Sequence, residues 1–337
     1  MAQPTPHHHH NIVALETFFC PLPQFQLPAP HTCTVTSYSR TKIDEIPARV
    51  HDAEILVVTT LPLRADTLSP AVSPNLRLVA VVASGTDSVD LAACRARGIT
   101  VANTPHCNTT AVAEHAIASY FAARRSVCLT GRLARSGDWP RRGTLLKAMD
   151  GPDGRPPRTC HSETLGIVGY GGVGKKVEAT AAALGMRIMV AGRKGASGPA
   201  PEGRVEFERV VRECSVIVLC LPRAPETLNL ISGAEFASMR ACAVLVNVSR
   251  GGIVDEGALV AALREGRIAG AATDVFLQEP AGPENSVLLA PENADLNLVA
   301  TPHVAWCAED TNDNYNQALL DNVTGWLTTG KPKYPIA

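Results

Sequence analysis

Short, continuous apolar runs alternate with helical segments along almost the whole chain, and this alternation limits the fold more than any other feature. In the first third, residues 11–15, 54–60, 76–83 and 99–103 read as strands. None alternates polar with apolar residues, so each is expected to be buried on both faces, as in a parallel sheet. Residues 90–98 read as a helix stopped by Gly98. A second series follows, with strands expected at 164–168, 187–190, 216–221, 244–248, 269–274 and 298–300 and helices at 173–184, 234–239 and 256–265. Strands joined through helices imply right-handed crossover units. Residues 110–128 predict one long Ala-rich helix, and 136–162, rich in Gly, Pro and Arg, predict a surface connection with a short helix near 145–149. The fold class expected is α/β, with two doubly wound, Rossmann-like parallel-sheet domains.

A length of 337 residues suits two such domains. Only 4% of residues are aromatic against 45% hydrophobic, so the cores must be aliphatic. A net charge of −1 argues against a nucleic-acid partner, which would need a basic surface. The ten cysteines include no Cys-x-x-Cys pair and are expected to be reduced thiols, with no metal bound. No apolar stretch is long enough for a membrane span, and the N-terminus lacks a secretory pattern. The acceptor pattern at Asn247 falls in an apparent buried strand. Together these predict a cytoplasmic chain. His7–His10 are expected to be a disordered tail.

The clearest motif is Gly169-Tyr170-Gly171-Gly172-Val173-Gly174, placed after a predicted strand and opening a predicted helix. Gly169, Gly171 and Gly174 fill the glycine positions of a dinucleotide fingerprint, which serve for a tight turn, close approach of a pyrophosphate and helix–sheet packing. The next strand should end in an acid where NAD ribose binds. Here it runs into Gly192-Arg193-Lys194. Two cations in that place favour the 2′-phosphate of NADPH over NADH. Leu221, Pro222 and Asp274, at later strand ends, complete the candidate cofactor contacts.

Three further motifs end strands in polar residues: Val246-Asn247-Val248-Ser249-Arg250-Gly251-Gly252, Asp274-Val275-Phe276-Leu277-Gln278-Glu279-Pro280 and Thr301-Pro302-His303-Val304-Ala305-Trp306. With Ser84-Gly85-Thr86-Asp87 and Asn103-Thr104-Pro105, they make the chain resemble the D-isomer-specific 2-hydroxyacid dehydrogenase family, nearest the glycerate dehydrogenase and hydroxypyruvate–glyoxylate reductase group.

The resemblance implies a discontinuous, flavodoxin-like substrate domain (residues 1–110 plus 306–337), a dinucleotide-binding domain (111–305) and an active-site cleft between them that closes by a hinge. A helix over 308–328 is expected to return to the first domain. The resemblance also implies reduction of a 2-oxoacid to a D-2-hydroxyacid. Arg250 would bind the substrate carboxylate and polarise the 2-oxo group, His303 would exchange the proton, and Glu279 would orient the imidazole. Ser84, Gly85 and Thr86 would hold the carboxylate from the first domain. Glutamate before Pro280, where formate dehydrogenases carry glutamine, argues against formate. Glu114 and His115 match the family's linker helix and read as structural. A homodimer through residues 110–143 is implied. The competing readings are a dinucleotide-sensing scaffold resembling corepressors, and a dehydrogenase of formate or phosphite. The substrate side chain, small or aryl, stays open.

Overall fold

Every strand pairs parallel with its neighbours in the computed structural model, which describes residues 8–336. Two compact units form: one holds the residues up to Asn108 together with those from Cys307 onward, and the other is Thr109–Trp306. The first contains β1 (His8–Ala14), β2 (His31–Ser37), β3 (Ile55–Val58), β4 (Leu78–Val81) and β5 (Thr100–Ala102), in the order β2-β1-β3-β4-β5. The helix Glu309–Thr329 belongs to this unit. Its fully buried Asn322 donates from Nδ2 to Asn103 O (2.8 Å) and accepts from the Tyr334 amide (2.9 Å).

The second unit contains β6 (Thr164–Val168), β7 (Arg187–Val190), β8 (Val216–Leu219), β9 (Val244–Asn247), β10 (Gly270–Thr273) and β11 (Leu298–Ala300), in the order β11-β10-β9-β8-β6-β7. A parallel bridge from Ala191 to Val205 adds a one-residue outer strand beside β7. Both faces are covered. Val216 and Val218 of β8 enter one core with helix Thr109–Arg124, while Ile217 and Leu219 enter the other with helices Phe207–Glu213 and Glu256–Arg264. This is why the strand sequences are continuously apolar.

Several expectations need correction. His8–His10 are not a tail. They form the start of β1, in register with β2 from His8↔His31 onward. His9 bonds Thr32 and Thr34, and buried His10 lies between Glu54 (2.8 Å) and His31 (2.9 Å). His7 lies outside the described residues. Polar β2 (HTCTVTS) carries no apolar run, so it escapes a hydrophobicity reading. The single helix expected over 110–128 is two, Thr109–Arg124 and Val127–Arg135, because Ser126 takes a left-handed φ of 48° between them. Among the described residues no cluster of three or more His, Cys, Asp or Glu is arranged to hold a metal, and no helix is long and apolar enough to cross a membrane. All ten cysteines are free thiols.

One buried ion pair ties the end of helix Thr109–Arg124 to the amino ends of the second sheet. Arg124 Nε lies 2.7 Å from Glu163 Oε1, with the two side chains 4% and 0% exposed. Its Nη atoms donate to Cys242 O (2.8 Å) and Ser215 O (2.9 Å). Glu163 Oε2 has no partner among the described residues, so this carboxylate depends on Arg124 for its charge compensation. Arg124→Ala should destabilise the protein by about 3–5 kcal/mol, whereas Arg124→Met combined with Glu163→Leu should recover most of that loss. Urea denaturation of both variants measures the difference.

Candidate active site

The strand order of the second unit reverses between β6 and β8, so a crevice opens there beyond the carboxyl ends. The glycine-rich loop lies at this point. Gly169 has φ 93°, and a Cβ on it would collide with the Cys220 carbonyl, so only glycine fits the turn. Gly171, by contrast, faces open space: an added Cβ would meet nothing within 4 Å. Helix Gly172–Ala183, starting through Val173 and Gly174, has no side-chain cap and no acid in its first turn. An open glycine before an uncapped helix start is a cradle for a phosphate group. These residues fit the pyrophosphate of a dinucleotide.

At the end of β7, the Gly192 amide donates to Val205 O (2.7 Å). Arg193 is exposed. Lys194 is engaged elsewhere, since its Nζ pairs with Glu235 Oε1 (2.7 Å) and donates to Leu230 O (2.9 Å). Burial pushes the Glu235 carboxyl up, but the Lys194 and Ser232 hydrogen bonds outweigh it and hold the group below its ordinary value. Arg204 takes up a place the sequence did not reveal. It donates to Ala191 O (3.1 Å), with its guanidinium 5.3 Å from the centroid of the Tyr170 ring of the glycine-rich loop. Lying 11 positions beyond Arg193 in sequence, it belongs to no local motif. Leu221 and the exposed Pro222 follow β8 at the same crevice.

Adjacent strands β9, β10 and β11 carry the three polar residues. After β9, the Asn247 carboxamide shapes the turn: Oδ1 accepts from Ser249 N (3.1 Å) and Oγ (2.7 Å), and Nδ2 donates to Arg250 O (3.2 Å). Gly251 sits so close to the Phe276 carbonyl that any side chain would clash. Arg250 Nη1 donates to Ser249 O (2.9 Å). After β10, Glu279 Oε1 accepts from Phe276 N (2.9 Å). Glu256 holds the same loop by accepting from Leu277 N (2.7 Å) and Ser286 Oγ (2.9 Å). After β11, His303 adopts φ 54°, a region non-glycine residues seldom occupy. Its amide donates to Asp274 O (2.8 Å), and Trp306 Nε1 donates to His303 O (2.9 Å).

The ring of His303 meets Glu279 at Nδ1···Oε2 2.7 Å. A carboxylate only accepts, so Nδ1 carries the proton and Nε2 is the atom left for chemistry. Burial of Glu279 raises its pKa. The hydrogen bond and charge of His303, the Phe276 amide and the Arg250 guanidinium together exceed that effect and hold the carboxyl below its ordinary value. Arg250, Glu279 and His303 are therefore one electrostatic group. Asp274 is only 2% exposed, and its carboxylate is taken up by Thr301, Val304 and Ala305.

In the first unit, Ser84, Gly85 and Thr86 follow β4. Asn103 Nδ2 donates to Ser84 O (2.7 Å), and Ser84 Oγ donates to Asn108 Oδ1 (3.1 Å). The three successive amides of residues 84–86 donate to no other described residue.

Comparisons with known proteins agree with this geometry. Residues 117–305 match the family model described as D-isomer specific 2-hydroxyacid dehydrogenase, NAD binding domain. The chain is 39% identical over 292 residues to a glycerate dehydrogenase of Methylorubrum extorquens, covering 86% of this chain and 87% of that one. It is 36% identical to a glyoxylate reductase of Pyrococcus furiosus over 76% of this chain and 74% of the relative. An NADPH-dependent glyoxylate/hydroxypyruvate reductase from Sinorhizobium meliloti, solved with NADP and malonate, superposes with TM-score 0.76 at 27% identity, over 97% of both chains. The chain belongs to the D-isomer-specific 2-hydroxyacid dehydrogenases, enzymes that interconvert 2-oxoacids and 2-hydroxyacids with a nicotinamide cofactor.

Proposed function

We propose that the enzyme works as an NADPH-dependent reductase of small 2-oxoacids of the glyoxylate and hydroxypyruvate type, with His303 as proton donor. The observation that carries this reading is the 2.7 Å contact that fixes the His303 proton on Nδ1 against Glu279. When bound, the reduced nicotinamide supplies a hydride to the carbonyl carbon. His303 gives the proton on Nε2 to the carbonyl oxygen, completing the alcohol and leaving a neutral imidazole still held through Nδ1. Glu279 stays ionised and balances the imidazolium before transfer. Arg250 pairs with the substrate carboxylate and polarises the 2-oxo group through its planar, permanently charged fork. Within the first unit, the amides of Ser84, Gly85 and Thr86 are assigned to substrate binding, since they form the kind of backbone nest that suits an anion. The names of the relatives favour small substrates over aryl ones.

For the cofactor, Gly169, Gly171, Gly172, Val173 and Gly174 hold the pyrophosphate, Leu221, Pro222 and Asp274 line the remaining dinucleotide path, and Gly192 lets the adenosine ribose approach. The 2′-phosphate falls to Arg193 and Arg204, since Lys194 is spent on Glu235. A homodimer forms through residues 110–143, where Phe121, Val127 and Trp139 expose apolar surface.

Turnover of glyoxylate and hydroxypyruvate should exceed that of phenylpyruvate in a steady-state panel, and a preference for the aryl acid would refute the substrate class. His303→Ala should lower kcat by roughly 10²- to 10⁴-fold with cofactor binding intact. NADPH should be preferred over NADH. Arg193→Ala and Arg204→Ala should each raise KM for NADPH by roughly 10- to 100-fold and leave KM for NADH near its starting value. Because the Glu279 pKa is lowered, its contribution to stability is complete above the ordinary value of 4.5 and is lost as pH falls through the lowered one. The Tm advantage of wild type over Glu279→Gln should therefore shrink as pH drops below that value.

A further inference from the structure

We infer that His115 is a positioning residue for catalysis, holding the turn that presents His303 through Thr301 and the buried carboxylate of Asp274. His115 lies on helix Thr109–Arg124, and none of the hydride, proton or carboxylate steps proposed above uses it.

The chain of contacts fixes its own direction. Thr301 Oγ1 lies 2.6 Å from Asp274 Oδ1. The carboxylate can only accept, so the single hydroxyl proton of Thr301 points to Asp274. His115 Nε2 lies 3.0 Å from the same Oγ1. With its proton committed, that oxygen can only accept from His115, so Nε2 must carry a hydrogen. Asp274 Oδ1 also receives the Val304 amide (2.9 Å), and Oδ2 receives the Ala305 amide (2.8 Å). The residues on both sides of His303 are thus clamped to one carboxylate: Thr301 before it, Val304 and Ala305 after it. The His303 amide itself donates to Asp274 O (2.8 Å). The left-handed φ of 54° at His303 persists only because its neighbours are held so closely.

A carboxylate 2% exposed needs compensation for its charge. Among the described residues no lysine or arginine pairs with Asp274, and its one ion-pair partner is His115, at 3.7 Å. His115 thus does two things for the clamp. It donates to Thr301 Oγ1, anchoring from behind the oxygen whose proton Asp274 already orients, and among the described residues it is the one ion-pair partner of the buried carboxylate. Removing its ring nitrogen leaves Thr301 held by Asp274 alone and loosens one arm of the clamp. The Nε2 atom of His303 then departs from the position its proton transfer requires. A misplacement on the order of 1 Å can cost about 100-fold in rate.

The inference rests on the reading of His303 as proton donor, so His303→Ala is measured beside the new variants. His115→Phe and Thr301→Val should each lower kcat by roughly 10- to 100-fold. The KM for oxoacid and the Kd for NADPH from fluorescence titration should stay near those of wild type, and any fall in Tm from losing the ring's charge should appear equally in His115→Gln without the loss of kcat. His115→Gln, whose amide can still donate to Thr301, and Thr301→Ser, which keeps the hydroxyl, should restore kcat to within about threefold of wild type. If His303→Ala turns over normally, the proton-donor reading fails and this inference with it. If His303→Ala is inactive but His115→Phe keeps full kcat, this inference alone is overturned. It is equally overturned if kcat, Kd and Tm of His115→Phe decline together and glutamine restores none of them.

Discussion

The central strands of both sheets are buried on both faces, and this constraint decides where the polar groups proposed for catalysis can stand. A strand such as β8 sends Val216 and Val218 into one core and Ile217 and Leu219 into another. No chemistry can be placed along it. Functional side chains can only stand beyond the strand ends, where backbone amides and carbonyls are also unpaired. The two ends then divide their work. At the amino ends of the second sheet, Arg124 closes the carbonyls of Ser215 and Cys242 and pairs with Glu163. At the carboxyl ends, the glycine-rich turn, Arg250, Glu279 and His303 are gathered.

The sequence showed this plan wherever burial writes itself into composition. The apolar runs at β3, β4, β6, β8 and β9 have no periodicity because both of their sides are covered, and that absence is itself the signal. The three motifs were legible because each begins where an apolar run stops. Other parts left no such trace. β2 is held by backbone pairing with β1, and its side chains are largely polar, so hydrophobicity could not find it. Four consecutive histidines suggested a tail, yet His10 is buried by partners at positions 31 and 54, far away in sequence. Lys194 stood in the right place for a phosphate, and only the fold shows that Glu235 claims it. Arg204 needed the return of the chain at Val205 before it could meet Tyr170. In each case a long-range contact overrode a local inference.

The proposed catalytic trio is compact because its strands are neighbours, not because its residues are close in the chain. Arg250 follows β9 by three residues, Glu279 follows β10 by six and His303 follows β11 by three. Neighbouring strands lie about 4.8 Å apart, so three of them span roughly 10 Å. The longer reach after β10 has a physical purpose. Glu279 must come back over the sheet to meet an imidazole from the adjacent strand, and Glu256 and the Phe276 amide hold the loop while it does so. Asp274, at the root of the same loop, grips the turn after β11. One connection after β10 thus sets both the partner of the His303 ring and the backbone that carries it. The imidazole is oriented from two sides by a single strand end, so a change in the register of β10 against β11 would disturb both at once.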